Sequence, residues 1–354
     1  MTKRTGSTSS ALNSAKKAKN DEFYTQMPDI AREVSRYASQ LQGKTIFCNC
    51  DVPYESNFFR YFVLNFNVLG LKKLIATCYV GSPVAKTKLS LFDHEPVENQ
   101  TTGSPRQIEI AEVDDCDGDG GVNLADMEKL LCNKKNVLTR LKGDGDFRSQ
   151  ECIELLKQAD VIITNPPFSL FREYVAQLME YKKKFLIIGS MNAITYKEIF
   201  KMIQENKLWV GYGFAGGNAY FKVSREDADY AVGVYNPETG LVKFRNIHWF
   251  TNLDTAKRRE EFKFYKTYNA KEYSKYDNYN AIEVPKLTEI PANYDGVMGV
   301  PITFVDKYNP NQFEIVGQTG VIDPEGICLE YKSGRPYIDG KRLYSRILIR
   351  KKRQ

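Results

Sequence analysis

The chain has 354 residues, 42% of them hydrophobic and 27% charged, with 50 Lys and Arg against 44 Asp and Glu for a formal net charge of +6. That length allows two domains with well-filled cores and excludes wholesale disorder. No apolar run approaches the ~20 residues a bilayer span needs, and the N-terminus has no apolar segment to act as a secretory leader, so a cytoplasmic protein is expected. Residues 1–20 hold Lys3, Arg4, Lys16, Lys17 and Lys19 without an acid, and read as a flexible basic arm. The pattern then predicts a helix over 30–41, a strand over 45–50, a helix over 56–69 and a strand over 73–79. Segments 108–113, 124–132 and 137–142 follow. Next come a helix over 150–158, a strand over 161–164, a helix over 170–181, a strand over 185–189, a helix over 196–205 and a strand over 208–210. Strands alternating with crossover helices predict an α/β fold, a mostly parallel sheet covered on both faces. In such sheets ligands bind beyond the carboxyl ends of the strands.

From about Ala219 the rhythm changes. Residues 241–280 interleave ten aromatic residues, Trp249 among them, with nine Lys or Arg, including Arg258 and Arg259. The expected organisation is a catalytic domain over 21–225 and a smaller domain over 226–354 that ends in a basic tail. Residues 341–354 carry seven basic residues and no acid; without the two basic ends, 38 basic face 44 acidic residues. Basic ends on an acidic body suit a polyanion, although solvated tails look the same.

The seven cysteines are odd in number and include no C-x-x-C pair, and only His94 and His248 are present. A histidine triad or a Cys/His zinc site is therefore not expected. Asp115, Asp117, Asp119, Gly120 and Asp126 fall at calcium-loop positions, but the final position lacks the bidentate Glu, and a solvated acidic loop is the expectation. No metal is assigned.

The strand over 161–164 ends in Asn165-Pro166-Pro167-Phe168. Alone, two prolines after a strand make a rigid turn. At a strand's carboxyl end they also suit methyl transfer to an exocyclic amine, whose lone pair is delocalised into its ring. Asn165 Oδ1 and the Pro166 carbonyl can each accept one N–H and draw the nitrogen toward a tetrahedral geometry. Pro167 stiffens that carbonyl's backbone, and Phe168 offers a face for a planar base.

With Asp21 to Thr25, Asn49-Cys50-Asp51, Ser56 to Phe59, Leu74 to Tyr79, Gly145 to Ser149 and Tyr294 to Gly317, this loop resembles the EcoRI-type adenine-specific DNA methyltransferases. The resemblance spans about Asp21 to Gly317. It implies an S-adenosyl-L-methionine (AdoMet)-dependent, Rossmann-like methyltransferase sheet with a smaller C-terminal target-recognition domain. Phe23, Tyr24 and Thr25 match the segment that closes over AdoMet, and Asp51 matches the acidic end of the first strand. Asp146 matches the acid that accepts from the cofactor's adenine amine, and Phe147 the ring packed on it. Asn165, Pro166 and Phe168 match the catalytic loop.

Two departures stand out. The first loop lacks the usual glycine-rich turn, so the cofactor carboxylate is expected at the helix start near Ser56 and Asn57. The second strand ends in Thr77-Cys78-Tyr79 without an acid for the ribose. Taken singly, each matched residue also reads as a cap, a turn or core packing.

The expected reaction is methylation of adenine N6 in double-stranded DNA with base flipping, by a monomer that protects DNA from a partner restriction endonuclease. A second stacking face is sought in Tyr220, Phe221 or Trp249, and DNA contacts in Trp249, Arg258 and Arg259. Cytosine N4, an RNA base, a protein glutamine amide and a catalytically silent DNA-binding module stay open as alternatives. The resemblance, and not any residue pattern, implies GAATTC as the recognition sequence.

Overall fold

Four consecutive buried residues, Val161 to Thr164, form the strand beside the middle of the main sheet. Such unbroken apolar runs belong to strands covered on both faces. The computed structural model describes residues 24–51, 56–77, 105–116, 118–222, 233–329 and 334–352. Phe23, the basic arm, Cys78 and Tyr79, His94 and Asp117 lie outside these.

The strands are β1 (Tyr24–Thr25), β2 (Thr45–Cys48), β3 (Lys73–Thr77), β4 (Arg106–Ile110), β5 (Val137–Arg140), β6 (Val161–Thr164), β7 (Lys184–Ser190), β8 (Trp209–Val210) and β9 (Asn218–Lys222). They continue with β10 (Tyr235–Asn236), β11 (Leu241–Arg245), β12 (Ile247–Thr251), β13 (Ile282–Glu283), β14 (Met298–Val300), β15 (Phe313–Gln318), β16 (Tyr337–Ile338), β17 (Lys341–Arg342) and β18 (Ile347–Lys351). The helices are α1 (Met27–Val34), α2 (Ala38–Leu41), α3 (Asn57–Leu64), α4 (Leu124–Glu128), α5 (Gln150–Gln158), α6 (Phe171–Glu180) and α7 (Lys197–Gln204).

Two compact units emerge: residues 1–190 with 213–253, and residues 191–212 with 254–354. The expected boundary at 225/226 falls elsewhere for physical reasons. β12 pairs with β7 from Ile247↔Ser190 to Thr251↔Leu186, which ties 213–253 to the first unit. Residues 191–212 belong to the second because Gln204 Nε2 donates to the Ile315 and Val316 carbonyls at 3.2 and 3.0 Å, and Lys257 Nζ to the Gly211 carbonyl at 2.8 Å.

In the first unit seven strands run in the order β5-β4-β3-β2-β6-β7-β12. The central four are parallel. β4 and β12 run against them, while β5, antiparallel to β4, runs with them, so the sheet is mixed. After β2 the chain moves outward through β3, β4 and β5 and returns to β6 on β2's other side. β2 and β6 therefore flank the switch point, where α/β sheets open a crevice for ligands. Ser56 caps α3 by accepting from Phe58 N at 3.0 Å, and Ser149 caps α5 by accepting from Cys152 N at 3.3 Å. A second sheet, β1-β9-β11-β10, is antiparallel throughout.

The second unit is built on the sheet β13-β14-β18-β15 and a two-stranded ribbon, β16–β17. The expected basic tail is thus folded: β18 pairs with both β14 and β15. Arg346 forms a bidentate ion pair with Glu283, Arg350 lies 3.6 Å from Glu314, and Lys351 Nζ donates to the Ala292 carbonyl. Among the described residues no helix is long and apolar enough to cross a membrane.

Candidate active site

The carboxyl ends of β2 and β6 lie side by side, which puts Asn49-Cys50-Asp51 next to Asn165-Pro166-Pro167-Phe168. Asp51, only 6% exposed, joins them. Its Oδ2 accepts from Thr164 Oγ1 and its Oδ1 from Ser56 Oγ at 2.6 Å. Thr164 Oγ1 in turn accepts from Cys50 N at 3.3 Å. A buried carboxylate costs several kcal/mol unless its oxygens are bonded, and here it ties the residue before Asn165 to the cap of α3. Asn49 is held in the same way: its Oδ1 accepts from the buried Tyr174 hydroxyl on α6, and its carbonyl from Thr77 Oγ1 at 3.3 Å. Burial pushes the Tyr174 phenol well above its ordinary pKa, keeping it a neutral donor.

Asn57 Nδ2 donates to the Thr25 carbonyl at 2.8 Å. β1 pairs with β9 at Tyr24↔Lys222 and Thr25↔Phe221. Thr25 is buried, and its Oγ1 has no hydrogen-bond partner among the described residues. The structure thus brings together Tyr24, Thr25, Asp51, Ser56, Asn57 and the Asn165-Pro166-Pro167-Phe168 loop.

After that loop a 3-10 turn, Phe168–Leu170, leads into α6, which buries Phe171, Tyr174, Val175 and Leu178. Pro166 is buried, while Asn165 and Pro167 are partly exposed. Phe168 is 4% exposed and meets Phe221 edge-on at 6.5 Å, so its ring is a wall of the site and not an open platform. Gly189 on β7 fits against Phe171: a Cβ there would stand 2.3 Å from Phe171 Cε2.

Asp146 and Phe147 precede α5. Asp146 Oδ1 accepts from Arg148 N and Nε at 2.8 and 2.9 Å, and its Oδ2 from Arg148 Nη2 at 2.7 Å. Arg148 thereby occupies the oxygens that the resemblance reserves for the cofactor's adenine amine, and holds the Asp146 carboxyl below its ordinary pKa. Phe147 is buried and meets Tyr174 edge-on at 5.1 Å.

The residues expected to face DNA fare differently. Trp249 lies on β12 with no exposure, stacked on Phe214 at 5.7 Å and edge-on to Phe58 at 5.9 Å; it is core, not a stacking face for a base. Phe221 is likewise buried, whereas Tyr220 beside it is 39% exposed. Arg258 lies 4.2 Å over the Trp209 ring and donates to Asn206 Oδ1 at 2.5 Å, with its pKa lowered by burial. Arg259 is paired with Asp254 at 2.6 Å. Tyr273, Tyr276 and Tyr279 are buried with their hydroxyls bonded to the Glu289 carbonyl, Glu283 and Asp323. Most of the aromatic segment is therefore core.

In the acidic loop, Asp126 closes a capping box by accepting from Asn123 N at 2.9 Å and also accepts from Cys116 N at 2.7 Å. No group of three metal-ligating residues occurs among the described residues.

A family profile described as "Adenine-specific methyltransferase EcoRI" matches residues 11–352. The chain belongs to that family. It is 42% identical over 350 residues to the Type II methyltransferase M.EcoRI of Escherichia coli, covering 98% of each chain. It is 36% identical to M.MgeORF184P of Mycoplasma genitalium and 34% identical to M.MpnI of Mycoplasma pneumoniae, each covering 96% of this chain and 98% of the relative. No solved structure matches the chain significantly. As an EcoRI-family member the protein is a site-specific DNA methyltransferase that modifies adenine, which decides against cytosine, RNA, glutamine and a silent module.

Thr164, Tyr174 and Arg148 escaped the sequence reading. Arg148 had a local signal, two residues after an Asp that its own backbone can bond. Thr164 and Tyr174 had none, because their partners Asp51 and Asn49 lie more than a hundred residues away.

Proposed function

We propose that the protein transfers a methyl group from AdoMet to N6 of adenine in double-stranded DNA. The adjacency of β2 and β6 carries this reading, because it sets an acidic first-strand end beside Asn165-Pro166-Pro167-Phe168 at the sheet's switch point. Asn165 Oδ1 and the Pro166 carbonyl each accept one hydrogen of the amino group, freeing the nitrogen lone pair. The two prolines fix the carbonyl's direction. AdoMet, when bound, supplies an activated methyl group whose departure from sulfonium needs no strong base, in keeping with the absence of histidine from the site's described residues.

The residues present fit that cofactor. Thr25 offers a buried hydroxyl still short of a partner, Ser56 and Asn57 stand at the start of α3, and Asp51 is held in the crevice. Phe23 and Tyr24 precede them, and Asp146 with Phe147 would hold the cofactor's adenine, with the carboxylate exchanging Arg148 for the adenine amine. The target adenine lies inside a duplex and is flipped into the site. Stacking on Phe168 requires its ring to part from Phe221, and Tyr220 is the exposed aromatic on the adjoining strand. The second unit, with Arg258 and Arg259, serves target recognition. The enzyme acts as a cytoplasmic monomer and shields DNA from an endonuclease that cuts the same site.

Asn165→Ala tests the reading: AdoMet binding by calorimetry persists, while methyl transfer to duplex DNA falls by about 10³-fold or more. Undiminished turnover refutes the role given to Asn165.

A further inference from the structure

Seven basic residues close the sequence, and the fold treats them unequally. Arg346 and Arg350 pair with Glu283 and Glu314, and Lys351 lies against the Ala292 carbonyl and over the Phe264 ring at 5.2 Å. Lys341 and Arg342 are different. Both are exposed, and no acid pairs with either among the described residues.

They form β17, the second strand of a ribbon whose partner β16 is joined by Asp339-Gly340. Both turn residues have positive φ, 49° and 71°, the signature of a tight two-residue hairpin turn. The ribbon is fastened along its length. Asp277 accepts from Asp339 N at 3.3 Å and from Gly340 N at 2.9 Å. Asn278 donates to the Arg335 carbonyl at 2.8 Å and accepts from Tyr337 N at 3.0 Å. Ile338 and Leu343 pack on the core formed by Tyr276, Tyr279, Val297 and Leu348. The tip is open: a Cβ on Gly340 would meet nothing within 4 Å. Tyr344, just beyond the ribbon, is 80% exposed. From 334 to 352 the only acid is Asp339 at the tip.

We propose that this ribbon is a duplex-DNA contact element, in which Lys341 and Arg342 engage backbone phosphates. The inference rests on the DNA-methylating function. A two-stranded ribbon has the width that the major groove admits, a pre-ordered one loses little entropy on docking, and cations without acidic partners are free to replace the counterions of phosphates.

The test is Lys341→Gln with Arg342→Gln in the full chain. Binding is measured as a function of salt on a duplex that the wild-type enzyme methylates and on an unrelated duplex. At about 0.1 M monovalent salt, affinity for both duplexes is expected to fall by about 50-fold, and the log–log salt slope to become shallower by about 1.8. AdoMet binding and the melting temperature stay at wild-type values. Lys341→Arg with Arg342→Lys retains the wild-type slope, since a phosphate accepts either cation. An unchanged slope in the double glutamine variant overturns the proposal, and so does weakening confined to the methylated duplex. A wild-type enzyme that methylates no DNA adenine would instead refute the parent reading, an outcome read before any variant is made.

Discussion

Gly189→Ala probes how the catalytic loop is held. Gly189 sits on β7, paired with His248 of β12, so its backbone is fixed from that side. A Cβ there would lie 2.3, 2.7 and 2.9 Å from three atoms of the Phe171 ring. Ordinary carbon contacts are about 3.5–4.0 Å, so the ring must retreat by about 1 Å or more. It has little room: Phe171 is 2% exposed and meets Phe250 at 5.0 Å. Overpacking of this kind costs about 1–3 kcal/mol. Phe171 opens α6 three residues after Phe168, so the displacement reaches Asn165 to Phe168 through the single 3-10 turn Phe168–Leu170. A misplacement of about 1 Å at reacting groups can lower a rate by about 10²-fold. Single-turnover methyl transfer should fall by about 10- to 100-fold, while AdoMet affinity, which we propose is set on the β2 side, should change little. Adding Phe171→Leu should recover much of the rate, giving a non-additive double-mutant cycle. Wild-type rate and stability in the single variant would show that the loop is not positioned through this contact.

Three further outcomes follow from the hydrogen bonds. Thr164→Val removes a donor to the buried Asp51 and the acceptor for Cys50 N; urea unfolding should show a loss of about 2 kcal/mol, with weaker AdoMet binding, and an unaltered midpoint would contradict the bridging role. Arg148→Ala frees the Asp146 carboxylate, so AdoMet should bind severalfold more tightly, and weaker binding would make Arg148 an aligner and not a competitor. Because Arg148 holds Asp146 below its ordinary value, the pair stabilises the fold above the unfolded carboxylate's pKa. That contribution, about 0.5 kcal/mol for a pair half exposed on its arginine side, is lost as pH falls through the lowered value, so variant and wild type converge in acid. Arg346→Ala leaves Glu283 buried against Tyr276 without its counter-charge and should destabilise the second unit by about 3 kcal/mol by thermal melting; an unchanged melt would return Arg346 to the surface.

Local signals made much of the fold legible. α5 is bounded where Ser149 caps it, and β6 where Asn165-Pro166 stops an apolar run, so the reading and the structure agree there to the residue. Strand direction left no such mark: β12 is as apolar as the parallel strands, β4 mixes Ile108 and Ile110 with Arg106, Gln107 and Glu109, and only pairing reveals that these two run against the rest. Composition misled where burial overrode it. Trp249 and the tyrosines at 273, 276 and 279 look like a binding surface beside so many lysines, yet their rings pack inward and the tyrosine hydroxyls find internal acceptors. The basic C-terminal run resembles a tail because Glu283 and Glu314, which neutralise part of it, are far away in sequence.

The clasp among Asp51, Thr164 and Ser56 also bears on biosynthesis. Its two sides are 113 residues apart in the chain, and β2 has no parallel partner on its inner flank until β6 exists. A nascent chain that ends between residues 56 and 164 therefore has the first-strand acid held by Ser56 alone, without the Thr164 side of the clasp. Distant pairings of this kind form late and slowly. A product terminated before residue 164 thus has neither the closed crevice between β2 and β6 nor the Asn165-Pro166-Pro167-Phe168 loop.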